Sequence, residues 1–187
     1  MCSEYERPTA DGDASLKPRW HAAEGWREHA FEHVWLVAAS RPSTWRWLND
    51  PDTFTRQIWP YKVEFLEGSG EGGASGFAPG VLNAHHGPLL NAAGVITCVD
   101  HGEDGNGRYR ELLYFYGSFV LGMRCVRPRR LAFWIRDHGD GCAVKVRLES
   151  SVSPMMHAPW SVLDRAFWLS FPGWMQSGAR KRDRAKT

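Results

Sequence analysis

Long apolar runs are missing from this chain. The longest, Val34 to Ala39, is six residues, against the roughly 20 that a helix needs to cross a bilayer, so a membrane-spanning helix is excluded. An excess of one charge is missing too. The 23 Lys and Arg stand against 21 Asp and Glu, a formal net charge of +2, which gives no overall field to draw in nucleic acid or anionic lipid, and no nucleic-acid partner is expected. Cysteine is scarce: Cys2, Cys98, Cys125 and Cys142 show no CxxC spacing, and the polar N-terminus lacks the apolar core of a signal peptide. Free thiols in a reducing cytoplasm are the expectation. What the chain does have is aromatic rings. Ten tryptophans among 187 residues, with Phe and Tyr, bring aromatics to 13%, enough to line a core or an apolar cavity.

The length suits a single domain, expected over residues 20–182 between a disordered leader, 1–19, and a short basic tail, 183–187. From Ala30 to Ala39 the residues are aromatic and β-branched, which predicts a strand with Phe31, His33, Trp35 and Val37 on its covered face. Ser40 or Ser43 caps a short helix carrying Trp45 and Leu48, and Asp52 starts a second that runs Thr53 to Ile58. Tyr61 to Glu67 alternates as a strand. Gly68 to Gly80 holds six glycines in thirteen residues and reads as a mobile loop too poor in side chains to pack, placed to gate a cavity mouth.

Antiparallel strands are predicted over Leu89 to Val99, Arg108 to Leu121, Arg130 to Asp137 and Cys142 to Val152. Asp104-Gly105-Asn106-Gly107 and Asp140-Gly141 supply tight turns between them. The last strand alternates cleanly, Val144, Val146 and Leu148 against Lys145, Arg147 and Glu149, as a sheet wet on one side requires. Arg127-Pro128-Arg129-Arg130 reads as a solvated turn. Beyond Pro154 the spacing turns helical, with Trp160, Leu163, Phe167, Phe171 and Trp174 three or four apart. Pro172 predicts a break between Ser170 and Gly173, and the basic end beyond it predicts a solvated helix terminus favoured by the macrodipole.

Strand, two short helices, a run of antiparallel strands and a long final helix resembles the START-like helix-grip superfamily, also called SRPBCC. The junction Ala39-Ser40-Arg41-Pro42-Ser43-Thr44-Trp45, followed by Leu48-Asn49-Asp50-Pro51, is similar to that family's first-strand exit and first-helix entry, and Pro159 to Arg182 resembles its closing helix. The likeness extends from about Ala30 to Arg182. It implies an α+β fold in which a curved antiparallel sheet of about six or seven strands wraps around a long C-terminal helix, leaving an apolar cavity between them. Family members include lipid and sterol carriers, polyketide cyclases or dehydratases, and oxygenase domains. The chain departs from the iron-containing members, since no two-His-one-carboxylate set is evident; neither metal nor cofactor is expected.

Several motifs invite sharper readings. His29-Ala-Phe-Glu32-His33 matches the H-x-x-E-H pattern of zinc peptidases, but that pattern works only on a helix; on a strand the two histidines stand roughly 13 Å apart at 3.3 Å per residue. Gly68-Ser-Gly70-Glu-Gly72-Gly73 matches G-x-G-x-x-G, yet Gly76, Pro79 and Gly80 forbid the helix that would aim its dipole at a phosphate. His85 and His86 are adjacent, so on a strand one faces inward and the other meets solvent. Arg108 to Glu111 and Tyr114 to Tyr116 place charged and phenolic tips on a central strand, and either phase of alternation sends one toward the cavity. The expected walls are Trp35, Trp59, Phe65, Phe133, Trp160 and Phe167. His33, His85 or His86, and Tyr114 or Tyr116 would orient the guest, an apolar or aromatic small molecule of the lipid or polyketide kind. The alternative is an enzyme of the cyclase, dehydratase or hydrolase kind using an inward histidine as acid or base.

Overall fold

The computed structural model describes residues 25–66, 75–119 and 124–184. The expected leader and the Gly68–Gly73 motif lie outside them. Seven strands form one antiparallel sheet: β1 (Arg27–Val37), β2 (Lys62–Leu66), β3 (Leu82–Gly87), β4 (Leu90–Asp100), β5 (Tyr109–Phe119), β6 (Val126–His138) and β7 (Gly141–Val152), in the order β1-β7-β6-β5-β4-β3-β2. Between β1 and β2 come α1 (Arg41–Asn49) and a π-helical turn (Thr53–Gln57); after β7 come a 3₁₀ turn (Pro154–Met156), α2 (His157–Trp168) and α3 (Phe171–Arg184). Among the described residues no helix is long and apolar enough to cross a membrane.

The two faces of the sheet follow from the alternation of β7. Val144, Val146 and Leu148 are buried beneath the helices, while Lys145, Arg147 and Glu149 join a cross-strand ladder on the other face. In that ladder Lys145 and Arg147 meet Glu32 at 2.9 and 3.6 Å, and Arg130 bridges Glu111 and Glu149 at 2.5 and 3.6 Å. Such half-exposed pairs add little stability each, but they keep this face wet. The opposite face is covered by rings: Trp168 stacks on Phe31 at 6.1 Å and lies 5.9 Å from Trp35, and Phe171 stacks on Phe133 at 5.8 Å.

The helical break falls at Leu169 and Ser170, just before the expected interval. Pro172 thereby becomes an early residue of α3, where its missing amide proton has no intrahelical partner to lose. α3 then docks against α1. The Ser40 side chain accepts from the Ser43 amide as N-cap of α1, and its amide and hydroxyl donate to Asp183 at 3.0 and 2.6 Å. Arg180 Nε donates to the Ala38 carbonyl at 3.0 Å, and Arg182 pairs with Asp50. The basic end is thus tied to α1 and β1 rather than simply solvated, and α3 continues through Asp183 and Arg184, which the sequence assigned to a tail.

Other expectations are corrected. The span Leu89 to Val99 is a strand as expected, β4, but β3, the strand before it, was not among those expected; Leu89, at φ 63°, turns the chain between Gly87 and Leu90. Arg127 to Arg130 lies inside β6; a bulge between Pro128 and Arg130 absorbs the proline. The Gly68–Gly80 loop packs in its described part, where Phe77 sits 5.1 Å from Phe54 and 4.6 Å from Phe65. One ring there supplies the apolar area its glycines lack. Cys98 is disulfide-bonded, whereas Cys142 is a buried thiol; such pairing depends on folded proximity that sequence spacing does not reveal.

Gly178 is where α3 passes over Trp47, which is 1% exposed; a Cβ there would stand 2.0 Å from Trp47 Nε1. Alanine favours a helix over glycine by about 1 kcal/mol, but overpacking costs about 1–3 kcal/mol. Gly178→Ala should therefore lower the urea midpoint. Gly173→Ala, in the same helix with open space around the new methyl, should leave it unchanged or raise it. Equal effects of the two substitutions would contradict the close packing.

A second contact sets a pH dependence. Asp164 of α2 is fully buried, and its carboxyl meets His29 Nε2 at 3.1 Å and accepts from Trp168 Nε1 at 3.1 Å. Burial pushes Asp164 up to about 7 and pushes the His29 imidazole down. Below neutrality the pair is a neutral hydrogen bond. Because the folded carboxyl holds its proton more tightly than the unfolded one, its contribution is present below the ordinary carboxylate range, about 4, and is lost as pH rises through about 7. The lowered His29 works the other way, adding stability as pH rises toward the ordinary imidazole value. Asp164→Asn can keep both contacts and removes only the acid. Relative to the parent protein, its urea midpoint should move upward between pH 5 and pH 8; a constant difference across that range would refute a buried, protonated Asp164.

Candidate functional site

Beneath α2 and α3 the sheet encloses a cavity of about 80 Å³, measured as the space open to the centre of a water molecule. One water needs roughly 10–15 Å³ on that measure, so the space is several waters in size and smaller than the roughly 300–1,000 Å³ typical of small-molecule sites. The strands contribute Leu90, Ile96, Leu112, Phe119, Phe133 and Leu148, and the helices close over them with Phe167, Trp168, Phe171 and Trp174. Phe54, Ile58 and Phe77 complete the wall on the side of α1. Among the lining residues that keep some contact with solvent, Tyr61, Lys62, His85, His86 and Trp174 lie toward β2 and β3 and mark the mouth. Gly87 lets Tyr61 lie there, since a Cβ at that position would stand 2.3 Å from the Tyr61 ring.

Polar side chains face this apolar space as well, Arg110, Tyr114 and His85 among them. Arg110, Leu112 and Tyr114 share the inward face of β5 by period two. Arg110 is 4% exposed; its Nη1 donates to the Leu48 carbonyl at the end of α1 and, at 3.4 Å, to Asn49 Oδ1. Its guanidinium lies 3.9 Å from the centre of the Phe77 ring, 5.1 Å from Phe133 and 5.4 Å from Phe54, favourable cation–π placements that do not neutralise the charge. Burial lowers its pKa to about 9, so it stays protonated at neutral pH. Among the described residues no carboxylate pairs with it.

His85 is bonded to Asn83, Nε2 to Oδ1 at 2.8 Å, and stands edge-on to Tyr114 at 5.3 Å. Burial first, then the charges of Arg110 and His86, hold its pKa at about 3, so the imidazole is neutral. Burial raises the Tyr114 phenol, keeping its hydroxyl a donor. The Nδ2 of Asn83 and the Nε1 of Trp160 are buried without a hydrogen-bond partner.

Of the residues singled out in the sequence, His85, His86, Tyr114, Phe133 and Phe167 line the cavity together. His86 sits at the mouth, 3.5 Å from Glu64, which Lys62 also meets at 2.6 Å. Trp35 and Trp160 are buried in the surrounding wall, Trp35 against Phe171 at 5.4 Å and Trp160 against Phe119 at 4.8 Å. Phe65 packs behind Phe77. His33 keeps its expected face but is exposed, in ring contact with Phe31 and Trp35 of its own edge strand. Trp59 is 83% exposed and Tyr116 59%. Tyr116 leaves the inward face because a bulge intervenes: Tyr114 pairs with Gly94 but Tyr116 with Ala93. His29 and His33 both lie on β1, the extended setting that separates the H-x-x-E-H histidines. Arg110 and Phe77 were not singled out individually; the charged cluster on the central strand was the available signal for the first.

No family model matches the chain, and no curated protein matches it. Among solved structures it is similar to norcoclaurine synthase from Thalictrum flavum in complex with dopamine and hydroxybenzaldehyde, at 15% identity over 87% of this chain and 90% of that one, TM-score 0.53. Ara h 8.0201 is similar at 14% identity over 83% of this chain and 99% of that one, TM-score 0.56. The Mll3558 protein from Rhizobium loti is similar at 8% identity over 82% and 98%, TM-score 0.61. Identities this low speak to architecture alone: the seven-stranded antiparallel sheet closed by a C-terminal helical segment is a helix-grip fold.

Proposed function

We propose that the protein binds a small apolar or aromatic molecule in the cavity between the sheet and α2–α3. The observation that carries this reading is the cavity itself, lined almost wholly by rings and branched aliphatic side chains and opening beside Tyr61 and His86. Apolar burial supplies the drive, at about 25 cal/mol per Å² removed from water. That norcoclaurine synthase, sharing the architecture, is solved with two small aromatic molecules supports the scale of the guest.

The second reading, an enzyme of the cyclase, dehydratase or hydrolase kind, draws on His85 and Tyr114 facing the same space. It is less well supported. An imidazole held at about 3 is a weak base at neutral pH, far from the value at which proton transfer is efficient.

Trp168 and Trp174 line the cavity, so titration with the neutral dye N-phenyl-1-naphthylamine should quench tryptophan emission saturably. Leu112→Phe, which fills the floor, should weaken the dye more than about tenfold, the loss of roughly 1.4 kcal/mol. Absence of saturable binding, or full affinity in a folded Leu112→Phe protein, would count against this cavity as the site.

A further inference from the structure

Arg110 is a charge whose place in the fold leaves it incompletely used. A guanidinium has five N–H donors in a planar fork. Here Nη1 alone is engaged, on the Leu48 carbonyl and Asn49. Nε and Nη2 have no hydrogen-bond partner among the described residues, yet they are not among the atoms sealed from solvent, so their accessible side is the cavity that Arg110 lines. The tie to α1 accounts for one edge of the fork. Carbonyls at a helix C-terminus carry only partial negative charge and do not cancel a full positive one.

The rest of the lining does not cancel it either. Among the described lining residues there is no aspartate or glutamate, and the other cation, Lys62, meets Glu64 outside the cavity at 2.6 Å. Three phenyl rings around the guanidinium exclude water from its faces, and Tyr114 offers a second donor from the same strand face. An unpaired charge in such a place is costly until an opposite charge arrives.

We propose that the cavity selects a small aromatic carboxylic acid, its carboxylate on the free edge of Arg110 and its ring among the phenyl groups of the wall. This rests on reading the cavity as a ligand site and specifies the charge of the guest. A carboxylate matches the planar fork and balances one positive charge with one negative. A phosphate dianion would leave a net charge in the same apolar space.

The test compares 3-phenylpropanoate with 3-phenylpropanamide, close in shape and differing in charge, by calorimetric titration of the full chain at pH 7. The acid should bind wild-type protein at least about tenfold more tightly, the lower end of a charge-assisted hydrogen bond. Arg110→Met should bring acid and amide within about twofold of each other, and Arg110→Lys should keep part of the preference. If Arg110→Met does not fold by near-ultraviolet circular dichroism, the wild-type ratio and Arg110→Lys still decide. Equal binding of acid and amide to wild type overturns the carboxylate proposal and leaves the cavity reading standing, as does binding of N-phenyl-1-naphthylamine with neither acid nor amide. No binding of the acid, the amide or the dye overturns both.

Discussion

The covering of the inner sheet face by the rings of α2 and α3 is the contact on which the rest of the structure depends. Val144, Val146, Leu148 and Phe133 need an apolar lid, and Trp168 and Phe171 provide it from either side of the helical break. The break matters because it lets two short helices follow a curved surface that one straight helix would touch only along a line. Trp168 closes over Phe31 and Trp35, Phe171 over Phe133 and Trp47. Rings meeting at tilted and edge-on angles interlock without filling every gap, and the space left between Phe119, Phe133 and Phe167 is the cavity. α3 is then held from its far end by Gly178 against Trp47 and by Asp183 on Ser40.

Much of this architecture was legible in the chain. The period-two pattern of β7, the Ser40 cap and the helical spacing from Trp160 to Trp174 are local signals, and local signals survive folding. Those that failed depended on partners distant in sequence. His33 keeps the expected phase but not the expected cover, because on the edge strand β1 Trp168 covers Phe31 and Trp35 on either side of it and leaves His33 exposed. Tyr116 keeps its parity with Tyr114 in sequence and loses it in space, since the bulge opposite Ala93 and Gly94 resets the alternation. The Gly68–Gly80 loop reads as too poor in side chains to pack because nothing nearby in sequence reveals Phe54, Phe65 and Arg110 around Phe77.

The candidate site was half readable for the same reason. Alternation required that some polar tip of the central strand point inward, and Arg110 and Tyr114 do. Which tips they were followed from the pairing of Arg110 with Val99 and Phe133, a register fixed by both neighbouring strands. His85 turns toward Tyr114 and His86 toward Glu64, divided as adjacent strand residues must be.

Two buried ionisable groups show why only one of them calls for a ligand. Asp164 escapes the cost of burial by keeping its proton: at about 7 its carboxyl is largely neutral below neutrality, and His29 and Trp168 satisfy its oxygens. That site is closed. Arg110 has no equivalent escape, because even lowered to about 9 it remains a cation wherever the protein works near neutral pH. Desolvation, which neutralises an acid by shifting it a few units, leaves a guanidinium charged over the same interval. The fold holds this cation through the end of α1 and the rings of Phe54, Phe77 and Phe133, and a negative charge entering from the mouth would complete it. It would also lift part of what keeps His85 neutral, since the charge of Arg110 is a cause of that depression second to burial. Electrostatic coupling of this kind makes the occupant of the cavity a determinant of its own surroundings.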